Sequence, residues 1–400
     1  MEIRTFFLIY EYETEKYKYM QGTQEQHVGT DSLFSVMRRE EIAALRMQQW
    51  YHAAGYSRYQ MSKFEEYDLY VENKEFLISG NVITFTDTDG RLMALKPDVT
   101  LSIVRNYREE TGVQKVYYNE NVYRQDRSTH AFCEIMQVGL ECIGHIDAYL
   151  QGEVVTLACQ SLHTISDQFV LNLSHMGLIG AVLEQCGAHG AGAEALLRCI
   201  GEKNRHEARQ ICLERQWDAE PVCALIDLYG EASPVLEQMR QRGGVWRATA
   251  EELGEMVQQL HVAGVEKEIQ IDFSVINDSR YYTGVVFQGF VNGVPQAVLS
   301  GGRYDKLLAR MNKRGGAIGF AVYLDTLEYL ETGSDNSDFD VFLQYDNTVS
   351  PATVAQRAQA LRAEGKTVFA AAKRPEKWTF GTEICMTENN LVQANGGETK

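Results

Sequence analysis

The sequence predicts an α+β fold, on three observations. Strand pairs joined by turn-forming dipeptides stand on either side of a helix-rich block at residues 187–260, and one βαβ pattern closes the chain behind an acidic, Ser-rich break. Hairpins and a run of helices, each in its own stretch, suit an α+β arrangement.

Residues 1–19 are rich in Tyr, Glu and Lys without a clear period and form an N-terminal extension. Met20-Gln21-Gly22 then opens a polar lead-in that reads as a domain start, with Met20 as a candidate initiator. Over residues 35–54 the spacing of Ile42, Leu45, Trp50 and Ala53 predicts a helix that turns these side chains inward, and Gly55 stops it. Residues 82–86 and 91–95 flank Asp87-Thr88-Asp89-Gly90, an antiparallel hairpin with Asp-Gly turn chemistry. Strands are expected at 115–118, 135–142 and 169–173.

The block at 187–260 is rich in Ala, Glu, Arg and Leu and reads as a helical insertion, with Cys199, Cys212 and Cys223 at core-like places. It interrupts a core assigned to residues 20–186 and 261–332. Strand character returns at 269–273, 284–290 and 296–299, the last two joined across Asn292-Gly293 although Pro295 lies close by. After the break at 333–338, a strand at 340–344, a helix at 351–364 and a strand at 367–370 make one βαβ unit. Residues 338–400 are expected to form a short C-terminal α/β domain ending in a polar tail.

With 44% apolar and 23% charged residues the chain is a globular protein rather than a disordered or collagenous one. Lys plus Arg number 38 against 55 Asp plus Glu, a net charge of −17, which disfavours broad contact with a polyanion. The eight cysteines include no CxxC pair, and the nine histidines show no ligand spacing, so neither a metal nor another cofactor is expected. The apolar run Phe6–Tyr10 is too short for a signal or a membrane span, and a cytoplasmic protein is expected.

Two stretches, 116–141 and 277–305, carry the chemistry. In the first, two strands and the loop between them place Arg124, Asp126 and Arg127 at one mouth of a sheet, where an arginine suits bidentate binding of phosphate or carboxylate. An Arg–Asp surface pair is the plainer alternative for that loop taken alone.

The order of the pieces resembles the class II aminoacyl-tRNA synthetase core of the histidyl type. Leu95-Lys96-Pro97-Asp98-Val99-Thr100 is similar to that family's Leu-Arg-Pro-Glu-Gly-Thr, and Val122-Tyr123-Arg124-Gln125-Asp126-Arg127 to its motif 2 strand and loop. Gln137-Val138-Gly139-Leu140-Glu141 matches Gln-x-Gly-x-Glu, Tyr281-Tyr282 the histidine-specific Tyr-Tyr, and Gly301–Asp305 the family's Gly-Gly-Arg-Tyr-Asp. Five matches in order are specific together, although each alone is weak. The resemblance implies an antiparallel sheet flanked by helices and a histidine pocket. Asp98 would engage the amino group beside Thr100, Gln137 and Glu141 would line the pocket with Glu141 toward the imidazole, Arg124 would stand at its mouth, and Tyr281 and Tyr282 would wall it. Acceptors suit an ammonium and an imidazole N–H, and aromatic faces cover a flat ring.

The departures point away from aminoacylation. Asn277 occupies the place of the family's catalytic Arg, Thr326 replaces the motif 3 Arg that grips ATP, and Tyr323 stands where the family has Gly. Loss of one preorganised donor typically costs about 10²–10³ in rate, and neither Asn nor Thr replaces a guanidinium. The chain therefore resembles the ATP phosphoribosyltransferase regulatory subunits, non-aminoacylating relatives of the synthetases. That resemblance implies a non-catalytic chain that pairs with the short-form catalytic subunit in the first step of histidine biosynthesis, binds histidine for feedback inhibition, and self-dimerises within a hetero-octamer. Neither a membrane nor tRNA is expected as a partner. A divergent histidyl-tRNA synthetase and a synthetase-like paralogue with another amino-acid ligand stand as the alternatives.

Overall fold

The computed structural model describes residues 37–73, 82–125, 131–276, 282–330, 337–387 and 390–395. The N-terminal extension, Met20, Asp126, Arg127, Asn277, Tyr281 and most of the acidic break lie outside the described residues. The chain divides into two compact units at Leu330 and Glu331.

The first unit opens with α1 (Arg39–Ala53), whose Glu41 carboxylate accepts the N–H of Arg38 at 2.7 Å and whose first turn carries Glu40 and Glu41 at the positive end of the helix dipole. Its inward face differs from the one the apolar spacing predicts. Ala43, Ala44, Met47 and Tyr51 are buried, whereas Leu45 and Trp50 are 39% and 40% exposed. The alanines let the helix approach closely, and the Tyr51 hydroxyl bonds Ser161 Oγ at 2.7 Å while its ring meets Tyr117 and Phe320. A buried, hydrogen-bonded tyrosine outweighs the exposed Trp50 in setting the rotation of the helix.

Next come β1 (Ser57–Arg58), β2 (Phe64–Glu66), α2 (Asp68–Glu72), β3 (Thr84–Thr86) and β4 (Leu92–Leu95). Strands β2, β4 and β3 form a small antiparallel sheet, and the expected hairpin turn closes with Asp87 Oδ1 accepting the N–H groups of Asp89 and Arg91 at 2.8 and 2.9 Å. Helix α3 (Thr100–Asn106) leads to the long antiparallel pair β5 (Gln114–Gln125) and β6 (Phe132–Gly144), both longer than their apolar cores predict. Helix α4 (Ala148–Ile165), capped by Asp147, crosses the sheet to β7 (Phe169–His175).

Then follow α5 (Met176–Cys186), α6 (Gly190–Gly201), α7 (Arg205–Arg215), α8 (Glu220–Asp227), β8 (Tyr229–Glu231), α9 (Ala232–Arg242) and α10 (Gly244–Val262). Cys199, Cys212 and Cys223 are buried in this stretch. Its apolar residues run without a break into the core beneath the sheet, and β8 pairs with β9 (Ile269–Asp272). The unit ends with β10 (Val285–Val291), β11 (Leu299–Arg303), α11 (Asp305–Arg310), β12 (Gly316–Tyr323) and a 3-10 turn at Leu324–Tyr329.

These strands build one sheet in the order β1-β5-β6-β12-β11-β10-β7-β9-β8. Its six central strands are antiparallel, but β1 joins β5 and β9 joins β7 in parallel, so the expected antiparallel sheet is a mixed one. The β10–β11 connection also differs from a tight Asn-Gly hairpin. A turn at Val291–Val294 is followed by Pro295, and β11 begins only at Leu299, because Pro295 has no N–H to give a ladder.

The second unit contains β13 (Phe339–Tyr345), α12 (Pro351–Ala363), β14 (Val368–Ala371), β15 (Phe380–Thr387) and β16 (Asn390–Asn395). The expected polar tail is instead two further strands, giving a four-stranded sheet in the order β14-β13-β15-β16. Ile384 and Met386 of β15 join Val341 and Leu343 against α12, so the strand is drawn in by apolar burial.

Candidate functional site: a polar pocket on one face of the sheet

Side chains alternate across a strand, so the register fixes which residues share a face. One face of the central strands carries Tyr117, Leu140, Phe320, Phe287 and Leu173, all buried in the main core. The opposite face carries Tyr118, Glu120 and Arg124 from β5, Gln137, Gly139 and Glu141 from β6, and Gly319, Ala321 and Tyr323 from β12.

Glu141 is the centre of this face. It is 2% exposed, accepts Thr100 Oγ1 at 2.7 Å, and bonds the Tyr304 hydroxyl with its other oxygen. Burial pushes its carboxyl up to about 8, against the opposing hydrogen bonds from Tyr304 and Thr100, with Asp98 adding to the rise. The glycine opposite it is a steric requirement: a Cβ at Gly319 would lie 1.8 Å from Glu141 Oε2 and 2.4 Å from the Leu140 carbonyl. Gly319→Ala is therefore expected to lower the melting temperature by several degrees and to abolish ligand binding; an unchanged melt would contradict this packing.

Asp98 lies just before α3, where Oδ1 accepts the Leu101 N–H at 2.9 Å. Burial raises its carboxyl despite Arg124, whose nearest nitrogen is 4.0 Å from Oδ2. Arg124 is itself buried and donates Nε–H to the Pro97 carbonyl at 2.7 Å. Gln137 is 3% exposed, and its Nε2 has no hydrogen-bond partner among the described residues. The Tyr282 ring lies over Gly302, where a Cβ would come within 2.8 Å of it. The Tyr282 and Tyr118 hydroxyls are both held well above their usual range by burial and then by neighbours including Glu141 and Asp98.

The structure thus brings together Asp98, Thr100, Arg124, Gln137, Glu141 and Tyr282 from the expected set, while Tyr281 and Asn277 lie outside the described residues. Thr326 is 2% exposed and turns its hydroxyl back on the Tyr323 carbonyl at 2.5 Å, closing its own 3-10 turn. Sequence reasoning missed Tyr118 and Tyr304 as pocket residues. Tyr304 sits inside the Gly-Gly-Arg-Tyr-Asp run, whose Arg303 and Asp305 bind each other at 2.9 Å, Asp305 also accepting the Ala317 N–H.

Elsewhere, His175 caps α5 through Nδ1, which accepts the Leu178 N–H, and its Nε2 faces Glu252 at 3.3 Å. Among the described residues no group of His, Cys, Asp or Glu is arranged to hold a metal ion, and no helix is long and apolar enough to cross a membrane.

A mixed sheet with one apolar and one polar, glycine-lined face, flanked by helices, defines a class II aminoacyl-tRNA synthetase-like domain. The chain belongs to the histidyl-tRNA synthetase family, whose model matches residues 30–327. A curated protein of Oceanobacillus iheyensis named ATP phosphoribosyltransferase regulatory subunit is 26% identical over 365 residues, covering 88% of this chain and 89% of the relative. The fold is shared with a structure from Bacillus halodurans described as an ATP phosphoribosyltransferase regulatory subunit/histidyl-tRNA synthetase. That match has a TM-score of 0.66 and 24% identity, and it covers 83% of this chain and 88% of the other. It is also shared with a chain of the ATP phosphoribosyl transferase (HisG:HisZ) complex from Thermotoga maritima, at TM-score 0.57 and 19% identity over 71% of this chain and 97% of that one.

Proposed function

We propose that this chain is a non-catalytic regulatory subunit of ATP phosphoribosyltransferase. It activates a separate short-form catalytic subunit in the first step of histidine biosynthesis, in the cytoplasm, and carries feedback inhibition by histidine. The observation that carries this reading is a contrast between two groups of side chains. Glu141, Asp98 and the unpartnered Gln137 amide offer groups for an imidazole and an ammonium, while Thr326, in place of a phosphate-gripping arginine, is spent on its own main chain. A buried amide without a partner costs about 1–3 kcal/mol, which a polar ligand recovers. The names of the curated relatives support the same reading.

Histidine inhibits at a distance by linkage: it binds one state of the complex more tightly than the other, and a coupling of about 1–3 kcal/mol is the usual scale. The assembly proposed is a self-dimer of this chain within a hetero-octamer with the catalytic subunit.

The test is phosphoribosyl-ATP formation by a cognate short-form catalytic subunit, with and without this chain, under a histidine titration. Activity is expected only with both chains and is expected to fall as histidine rises. No activation and no co-elution, together with histidine-dependent ATP–pyrophosphate exchange by this chain alone, would instead make it a synthetase.

A further inference from the structure

We propose that His175 and Glu252 are positioning residues of the pocket: the α10 carboxylate turns the imidazole, and the imidazole sets the first turn of α5, which holds the main chain directly after Tyr282. That the pocket's ligand is histidine rests on the reading above; the hold on Tyr282 rests on distances within this chain.

The N–H groups in the first turn of a helix have no partner inside the helix. In α5 two of them are placed outside it. Leu178 N–H goes to His175 Nδ1 at 3.1 Å, and Met176 N–H goes to the Gly284 carbonyl at 2.9 Å. Gly177, between them, leaves no gap, since a Cβ there would lie 2.9 Å from the His175 ring and 3.5 Å from the Thr283 carbonyl oxygen. The same segment is also tied to β11, where the Arg303 carbonyl accepts the Thr283 N–H at 2.9 Å. Tyr282, whose ring lies over Gly302, is thus held through the two residues that follow it.

The cap also fixes the imidazole. Its Nδ1 accepts a main-chain N–H, so the ring proton is on Nε2. That nitrogen faces Glu252 Oε2 at 3.3 Å, with the His175 side chain only 10% exposed. Glu252 belongs to α10, from which none of the pocket side chains named above comes. One carboxylate in the helical block therefore bears on the wall of a pocket built by the sheet.

The experiment compares the full-length wild type with Glu252→Ala, Glu252→Gln, His175→Asn and the double variant His175→Asn with Glu252→Ala, after melts confirm folding. Histidine affinity is read by calorimetry, and hydrogen exchange is read at the Met176 and Thr283 amides of the ligand-free proteins. Asparagine keeps a capping acceptor for α5 but has no arm toward Glu252, so it separates the cap from the pair. Glu252→Ala and His175→Asn are each expected to weaken histidine binding about tenfold and to speed exchange at both amides. Glu252→Gln keeps an acceptor for Nε2–H and is expected to restore both readings, and the double variant is expected to bind no more weakly than either single one. If His175→Asn does not fold, the two Glu252 variants carry the test. A lowered melt with unchanged affinity and exchange would make the pair merely structural and overturn the proposal, as would a glutamine variant no better than the alanine one. Absence of histidine binding by the wild type would overturn the amino-acid reading instead, and the exchange comparison would then decide the hold on Tyr282 by itself.

Discussion

Glu141→Gln is expected to weaken histidine binding about 100-fold, or about 2.7 kcal/mol, because the amide cannot ionise when a cationic ligand draws the proton off the buried carboxyl. The same substitution reports on stability. An ordinary glutamate releases its proton near 4.5, but burial holds the Glu141 proton to about 8 in the folded chain. Between those values the native state binds more protons than the unfolded one, so stability is fully present below the lower value and is lost as pH rises toward the upper. Every tenfold difference in proton affinity between the two states is worth about 1.4 kcal/mol, so the loss amounts to a few kcal/mol. Melts of the ligand-free protein from pH 5 to 8 should therefore fall for the wild type and flatten for Glu141→Gln. Unchanged histidine affinity by calorimetry would remove Glu141 from the site.

Lys96→Met is expected to destabilise the first unit by about 3–5 kcal/mol, since it leaves Glu120 with an uncompensated charge in a mostly buried setting. The companion double variant, Lys96→Met with Glu120→Leu, is expected to recover most of that loss, because an apolar pair of similar volume often matches a buried ion pair. Denaturant midpoints of the three proteins give the comparison, and a double variant as unstable as the single one would refute it. Lys96 bears on the site because it precedes the pocket residue Asp98 by two positions, and its main-chain carbonyl accepts the Tyr123 N–H, tying the loop to β5.

The strands and the first hairpin are legible in the sequence because alternation and Asp-Gly chemistry act locally. What is set by distant partners is not. The rotation of α1 depends on Ser161, Tyr117 and Phe320, which lie far along the chain from Tyr51. The strand expected at 296–299 instead runs from Leu299 to Arg303, through two glycines, and Phe287 and Phe320 fill the space a Cβ at Gly301 would need. In β15, by contrast, the alternation of Phe380, Thr382, Ile384 and Met386 is present in the sequence and sufficient to mark a strand. The site is legible through five ordered matches. Tyr118 and Tyr304 are not, since they follow from register and from contacts across the sheet.

Three glycines beneath the pocket are each filled by another residue's side chain: Gly139 by the Tyr118 hydroxyl, Gly302 by the Tyr282 ring and Gly319 by the Glu141 carboxylate. The floor therefore has no slack. Packed interiors resist compression, and an occupant of such a pocket cannot seat itself by sinking into a soft base. A floor of this kind fixes the depth at which any occupant sits, and a side chain added at any of the three glycines has to displace the group that already fills its place.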